Sequence, residues 1–376
     1  MKKVLFVAPF ESNGRYKGGI MSIANDVFTK LKLFQNNNIE LIKFNVNFRK
    51  RKNFSVGKLS FENIIHFFCT TQKIIQESKK NNCNIVYYNT SKALGILKDA
   101  FVIKILRIFN KKIKIIMHIH FADYDKIMPS KKFLEKLLLK IFIKSIDEFV
   151  FLSKKTRNEF INHGISECKT SVLYNFHNYC ISKDRINAKI LEYDSKDYLE
   201  LLFMGSIDKR KGIVDLLEVL NKISMPYKLH LCGICNDAST KPLFDRKIKN
   251  FGDNIIIHGY VEETEKLDVL YKSDVMILPT YGEGFPVVLV EGMAFGCAIA
   301  TTPVGAIPEF VRPEFNGYIF EPGNITQIVS VLEKLFYEKE LTKDYMLNNY
   351  NDSLRFNLDC FINNLIKIIL KVSKDL

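Results

Sequence analysis

The sequence lacks long apolar runs. Nowhere in its 376 residues do about 18 apolar residues follow one another, which is the shortest stretch that crosses a bilayer as a helix. We therefore predict no transmembrane helix. The apolar segment 4–8 is too short for a secretory signal, and polar residues follow it at once, so we interpret it as a buried strand. Internal repeats and low-complexity tracts are also missing.

Cysteine pairs are scarce. The eight cysteines are scattered, and only Cys232 and Cys235 form a C-x-x-C motif. A zinc ribbon needs a second such pair. We therefore predict reduced thiols in a cytosolic protein.

Acidic residues are scarce in the first half of the chain. The net charge is +14, yet residues 1–180 carry 32 Lys and Arg against 13 Asp and Glu, whereas residues 181–376 carry 23 against 28. The first half is therefore at +19 and the second at −5. A basic half predicts an anionic partner, which could be a nucleic acid, a membrane surface or a phosphorylated acceptor.

Short apolar runs alternate with helical patterns in two series, separated by a polar stretch at 179–198 that we interpret as a linker. Alternation of this kind predicts parallel sheets covered on both faces, hence two doubly wound domains of the α/β class. A further helical pattern follows at 354–372. The predicted strands are 4–8, 39–44, 85–88, 113–117, 149–152, 201–204, 228–232, 255–258, 275–278 and 298–301.

Two carboxylates eight residues apart follow the strand at 275–278. Gly284 and Pro286 mark a turn, and a helix is expected from Val287. Glu283 then sits on the turn, where it can accept hydrogen bonds from sugar hydroxyls, and Glu291 lies deeper along the element, where it can hold a ribose. Two acidic residues by themselves favour a purely structural interpretation, in which one Glu interacts with the helix dipole and the second Glu is unrelated to it.

The surrounding residues resemble the C-terminal signature of family 4 glycosyltransferases of GT-B fold, including its E-x7-E motif. The resemblance is dense over about 200–325. It is carried by PTYGEGFP at 279–286, EGMAFG at 291–296, VGAIPE at 304–309, NGYIF at 316–320 with PG at 322–323, FMGSIDKRKG at 203–212 and IIHGYV at 256–261.

The resemblance implies two Rossmann-like domains facing across a cleft, with a terminal helix that crosses back to the first. The implied ranges are 1–180 for the acceptor domain, 181–353 for the donor domain and 354–376 for the helix. It also implies a retaining transferase that moves a sugar from a nucleoside-diphosphate donor to a glycan or lipid-linked acceptor in cell-surface polysaccharide biosynthesis.

The resemblance further assigns residues to the site. The expected catalytic residues are Glu283, His120 and Lys211, although the Gly that usually follows the His is Phe121 here. Ser206 stands where the family often has an Arg that meets the diphosphate, and Arg210 is its candidate replacement. The residues expected to bind the donor are Gly18, Gly19, Arg210, Lys211, Gly284, Phe285, Pro286 and Glu291.

No metal or cofactor is expected. His118 and His120 lie on one strand face and could be metal ligands, but no third ligand is evident nearby. The resemblance implies that the diphosphate is bound without a metal. The nucleotide is then the substrate, a UDP- or GDP-linked sugar.

A basic amphipathic helix is predicted at 131–144. Lys132, Lys136, Lys140 and Lys144 recur every four residues beside an apolar face. The pattern is typical of a core helix with a solvated face, and also of a helix that rests on an anionic membrane. The second interpretation predicts a cytoplasmic protein that is peripheral on the inner face of the cell membrane.

Three other functions remain open. A nucleic-acid-binding protein would fit the pI of about 9.2, but no nucleic-acid module is present, so we expect no nucleic-acid partner. A sugar-nucleotide epimerase of the same fold would bind a sugar nucleotide without transferring the sugar to an acceptor. A phosphorylase-like enzyme would need a longer chain or a cofactor lysine.

Overall fold

Two parallel sheets organise the chain in the computed structural model. The structure describes residues 1–10, 19–46, 61–90, 95–120 and 143–375. Unit 1 contains Met1–Asn175 and Leu358–Leu376, and unit 2 contains Phe176–Asn357. The chain therefore leaves unit 1 once and returns to it at its end.

The sheet of unit 1 has six parallel strands in the order β2-β1-β3-β4-β5-β6. Residues 4–8 and 115–119 are buried, as expected where helices cover both faces of a parallel sheet. All five strands predicted in this half are confirmed. The strands are β1 (Lys2–Ala8), β2 (Ile39–Asn45), β3 (Ile85–Thr90), β4 (Lys114–Ile119), β5 (Glu148–Phe151) and β6 (Thr170–Val172).

Amphipathic helices pack against this sheet through apolar side chains such as Ile74, Val102 and Leu106. The last helix contacts the first helix and β4, which confirms the predicted return of the C-terminus to the first domain. Lys371 Nζ anchors it to Glu148 Oε1 at 2.6 Å. The helices described in unit 1 are α1 (Gly19–Thr29), α2 (Leu31–Asn36), α3 (Phe61–Lys80), α4 (Gly95–Phe109), α5 (Lys154–Asn162) and α13 (Leu358–Val372).

The sheet of unit 2 also has six parallel strands, in the order β12-β11-β10-β7-β8-β9. Since β7 and β10 are neighbours, the segments that follow them meet at the same edge. All five strands predicted here are confirmed. The strands are β7 (Leu199–Met204), β8 (Tyr227–Cys232), β9 (Ile255–Gly259), β10 (Val275–Leu278), β11 (Ala298–Thr301) and β12 (Gly317–Ile319).

Seven α-helices are described in unit 2. The predicted helix start at Val287 is confirmed. The helices are α6 (Lys183–Ser195), α7 (Ile213–Leu220), α8 (Lys241–Lys247), α9 (Glu263–Lys272), α10 (Val287–Ala294), α11 (Ile325–Tyr337) and α12 (Lys339–Ser353).

The linker predicted at 179–198 is wrong over most of its length, because α6 occupies it. Ser182 caps the helix, and Ile186, Lys189 and Tyr193 form its buried face. Lys189 Nζ donates to the carbonyl oxygens of Leu270 at 3.0 Å and Phe295 at 2.8 Å, at the C-terminal ends of α9 and α10, where a cation is favoured. A lysine at a buried position hid the apolar periodicity in the sequence.

Candidate functional site

The loop after β7 is shaped by its own residues. Asp208 caps a short 3-10 helix at 209–211, since its Oδ1 accepts a hydrogen bond from the backbone N–H of Lys211 at 2.9 Å. Gly212 then adopts a left-handed conformation with φ of 75° before α7 begins. This turn presents Arg210 and Lys211 at the carboxyl end of β7.

The loop between β10 and α10 is tied to that turn. The N–H of Tyr281 donates to the Arg210 carbonyl at 2.8 Å, and Arg210 Nη1 donates to the Gly282 carbonyl at 2.6 Å. A Cβ on Gly212 would lie 1.9 Å from the Pro279 carbonyl oxygen, so the close approach requires glycine. The two loops therefore form one braced structure.

This bracing brings together Lys211 and Glu283, which are 72 residues apart in the chain. The Lys211 ammonium donates to Glu283 Oε1, and Thr280 Oγ1 also donates to that oxygen at 3.2 Å. The side chains of Lys211 and Glu283 keep only 13% and 10% of their surface exposed. Glu283 is thus held on the predicted turn, but it is ion-paired and largely buried rather than open to solvent.

Arg210 and Ser206 have separate surroundings. The Arg210 guanidinium braces the second loop through Gly282, whereas the Ser206 hydroxyl donates to Asp208 Oδ2 at 2.6 Å. Ser206 therefore supports the carboxylate that caps the turn. Arg210 is exposed at the same turn, and its remaining N–H groups are compatible with an anionic ligand.

The segment 304–306 packs against the loop between β10 and α10. The N–H of Ala306 donates to the Gly284 carbonyl at 3.0 Å, and a Cβ on Gly305 would lie 2.1 Å from the Glu283 carbonyl oxygen. Phe285 is buried, with its ring centroid 5.0 Å from that of Phe310. Of the predicted donor-binding residues, Phe285 therefore anchors the loop in the core.

Glu291 lies in α10 and is 8% exposed. Its Oε1 accepts a hydrogen bond from Lys266 Nζ at 2.6 Å. Burial raises the pKa of Glu291, and the Lys266 ammonium and a hydrogen bond from Tyr179 oppose that rise. Sequence reasoning missed Lys266, because a lysine near the start of a polar helix carries no signal of a buried partner.

In unit 1, His118 and His120 lie at the carboxyl end of β4, with ring centroids 4.0 Å apart. The Asn89 amide donates to the Val7 carbonyl at 3.0 Å, so its Oδ1 is turned to His120 Nε2 at 2.8 Å. Since this oxygen is an acceptor, Nε2 carries the proton. Burial lowers the pKa of His120 to about 3, so its imidazole is neutral at neutral pH.

The remaining predictions on unit 1 are tested only in part. Gly19 is the first residue of α1, whereas Gly18 and residues 131–142 of the basic stretch lie outside the described residues. Within the described ranges, no group of three or more His, Cys, Asp and Glu side chains is arranged to hold a metal ion. In the same ranges, every helix is too short or too polar to cross a membrane.

Comparisons with known proteins agree with this architecture. Residues 184–352 match the model of the family described as glycosyl transferases group 1. The structure of Anabaena HepE in complex with UDP and glucose superposes with a TM-score of 0.71 at 16% identity, over 98% of this chain and 100% of that one. The fold is therefore GT-B.

Two relatives extend the comparison. An uncharacterized 41.2 kDa protein in the cps region of Klebsiella pneumoniae is 24% identical over 356 residues, covering 90% of this chain and 94% of that protein. The lipopolysaccharide 1,6-galactosyltransferase of Escherichia coli is 25% identical over 196 residues, covering 51% of this chain and 53% of that protein. Residues 184–352 therefore resemble group 1 glycosyltransferases, and these comparisons indicate a glycosyltransferase.

Proposed function

We propose that the protein transfers a sugar from a UDP- or GDP-linked donor to a glycan or lipid-linked acceptor in cell-surface polysaccharide biosynthesis, with retention of anomeric configuration. The observation that carries the proposal is the pairing of Lys211 with Glu283 on braced loops at the carboxyl ends of β7 and β10. Ligands bind at such strand ends in open α/β sheets. The named E. coli relative acts on lipopolysaccharide, which supports the acceptor class.

The pair places two complementary groups side by side. An ammonium has three N–H donors, and Lys211 uses one of them on Glu283, which leaves donors for a phosphate oxygen. The departing diphosphate gains negative charge as the anomeric bond breaks, and Lys211 and Arg210 stabilise it. Glu283 retains acceptor capacity for sugar hydroxyls, so the sugar is held next to its leaving group.

Retention follows in this proposal from attack on the face that the diphosphate leaves. The departing phosphate oxygen takes the proton of the acceptor hydroxyl, so no protein side chain is needed as a covalent nucleophile. His120, neutral and bonded to Asn89, is proposed to lie near the reacting sugar. The diphosphate is neutralised by protein cations, and a chelator is expected to leave transfer unchanged.

We also propose that unit 1 contacts an anionic membrane near its acceptor. The first half is at +19, and the described helices α3 and α4 expose apolar rings. Phe68 and Phe101 pack edge to face with centroids 6.4 Å apart, yet 55% and 46% of their surface stays exposed. Exposed apolar side chains beside lysines are typical of surfaces that rest on lipid.

The function is tested by donor binding and by Glu283→Ala. A thermal-shift screen against sugar nucleotides is expected to raise the melting temperature for one donor, since the ligand binds only the folded state. Glu283→Ala is expected to abolish transfer of that sugar, whereas Asp253→Ala, at an exposed acid of the same unit, is the control. Near-wild-type turnover in Glu283→Ala contradicts the proposal, and donor binding without acceptor-dependent transfer favours an epimerase.

A further inference from the structure

The ion pair between Lys266 of α9 and Glu291 of α10 is used by neither loop described above. Lys266 Nζ lies 2.6 Å from Glu291 Oε1, and the two side chains are 19% and 10% exposed, respectively. The Lys266 ammonium also lies 5.6 Å from the centroid of the Tyr179 ring. That ring contacts Phe295, just beyond α10, edge to face at 5.0 Å. The pair is therefore largely buried, with an aromatic ring beside its ammonium.

A carboxylate in such a place depends on its partner. Breaking a buried ion pair leaves an uncompensated charge that costs several kcal/mol or is removed by protonation. Around Glu291, Lys266 and Tyr179 favour the ionised form, and the Glu263 carboxylate of α9 opposes it. Lys266 is the one cation among these groups, so the charge state of Glu291 follows from it.

The charge state of Glu291 determines how it can bind two adjacent hydroxyl groups. An ionised carboxylate accepts hydrogen bonds through both oxygens, whereas a protonated one turns one oxygen into a donor. Two adjacent ribose hydroxyls donate in parallel only to the ionised form.

We propose that Lys266 is a positioning residue for nucleotide binding, which keeps Glu291 ionised and fixes one of its oxygens so that the carboxylate accepts the two ribose hydroxyls. This inference rests on the proposed function. Lys266 acts here through Glu291 and not through its own contact with the ligand.

Titration calorimetry with UDP and GDP between pH 6 and 8.5 tests it. The ratio of the Kd of a variant to the wild-type Kd at each pH cancels the titration of the ligand itself. For Lys266→Met the ratio is expected to be larger at pH 6 than at pH 8.5, because a carboxylate that has lost its cation is protonated more readily as the pH falls. Lys266→Arg is expected to behave as wild type.

Two further variants separate the proposed role from general damage. Lys272→Met removes an exposed lysine of the same helix and is expected to leave the ratio near one. Glu291→Gln is expected to bind weakly at every pH, and the double variant Lys266→Met/Glu291→Gln is expected to bind no more weakly than Glu291→Gln alone, because Lys266 has nothing left to position.

A ratio for Lys266→Met that does not vary with pH overturns the inference, as does a double variant that is weaker than Glu291→Gln by the full Lys266→Met effect. If Lys266→Met does not fold by circular dichroism, Lys266→Gln is measured in the same way. A wild type that binds neither UDP nor GDP overturns the proposed function and this inference together. Normal wild-type binding with a flat ratio overturns this inference alone.

Discussion

At the scale of single residues, the site depends on charges held by neighbours. Lys211 and Glu283 neutralise each other at a largely buried place, and the Thr280 hydroxyl supports the same carboxylate oxygen. Neither charge is therefore exposed alone before a ligand arrives. In the proposed function, Lys211 is already oriented for an anionic ligand, which is the condition for strong electrostatic stabilisation.

Replacing Lys211 by Ala is expected to lower turnover by about a hundredfold or more, as for the loss of one preorganised donor. Lys209→Ala, which removes an exposed lysine from the same 3-10 turn, is the matched control and is expected to stay within about twofold. Steady-state kinetics with the donor found by thermal shift measure both. Equal turnover in the two variants would contradict the role of Lys211.

His118 makes stability depend on pH. It is 1% exposed, and burial, followed by the neighbouring His120 ring, holds the pKa of His118 well below its ordinary value. As the pH falls through about 6.5, the unfolded chain binds a proton there and the folded protein does not. Through His118 alone, stability is therefore lost below that pH by at most about 1.4 kcal/mol for each pH unit, and His120, whose pKa is also lowered, adds a loss in the same direction.

Urea unfolding at pH 7.5, 6.5 and 5.5 measures this loss. His118→Gln is expected to flatten the decline between pH 6.5 and 5.5. The exposed His163→Gln variant is expected to keep the slope of the wild type. If both variants lose stability as steeply as the wild type, proton uptake by His118 in the unfolded chain does not cause the loss.

At the scale of elements, the site is formed by two loops that follow neighbouring strands and are hydrogen-bonded to each other. Gly212 is the contact point, since its left-handed φ and the approach of Pro279 both exclude a side chain. Gly205 lies near the side chain of Lys211 but has no such clash. The close packing of the two loops therefore depends on a glycine at position 212.

Gly212→Ala is expected to lower the free energy of unfolding by more than Gly252→Ala. Both glycines have positive φ, with values of 75° and 50°, but the Cβ at 252 meets nothing within 4 Å. Gly252→Ala then costs only the conformational term, about 1–2 kcal/mol, whereas Gly212→Ala adds the clash with Pro279. Urea unfolding measures both, and equal losses would show that the loops separate easily.

At the scale of the whole molecule, charge divides the chain into a basic and a slightly acidic half. The lysine stripe at 132, 136, 140 and 144 and the exposed rings of α3 and α4 belong to the basic half. Each lysine near an anionic surface contributes about 1 kcal/mol within about a Debye length. Attachment by such forces is reversible and weakens with salt.

Replacing the four lysines of the stripe by Gln is expected to release the protein from vesicles that contain anionic lipid. Transfer to a water-soluble acceptor analogue is expected to persist, and transfer to a membrane-bound acceptor is expected to fall. Co-sedimentation at low and high salt, with neutral vesicles as the control, measures binding. Equal sedimentation of the variant and the wild type would mean that the stripe is a solvated face.

The sequence by itself determined the two βα series, ten of the twelve described strands, the terminal helix and the residues of the E-x7-E motif. Buried parallel strands are continuous apolar runs, and loop glycines are restricted to few conformations, so both leave local signals. The two missed strands, β6 and β12, have three residues each, which is too short for a pattern.

Only the tertiary structure decided which charges meet. Lys211 with Glu283, Lys266 with Glu291 and the buried Lys189 on the carbonyl groups of two helices are all pairings across long stretches of chain. A lysine looks the same in sequence whether it faces solvent or a buried partner. Its surroundings are set by packing, since the energy of a charge depends on the dielectric and the partners that the fold places around it.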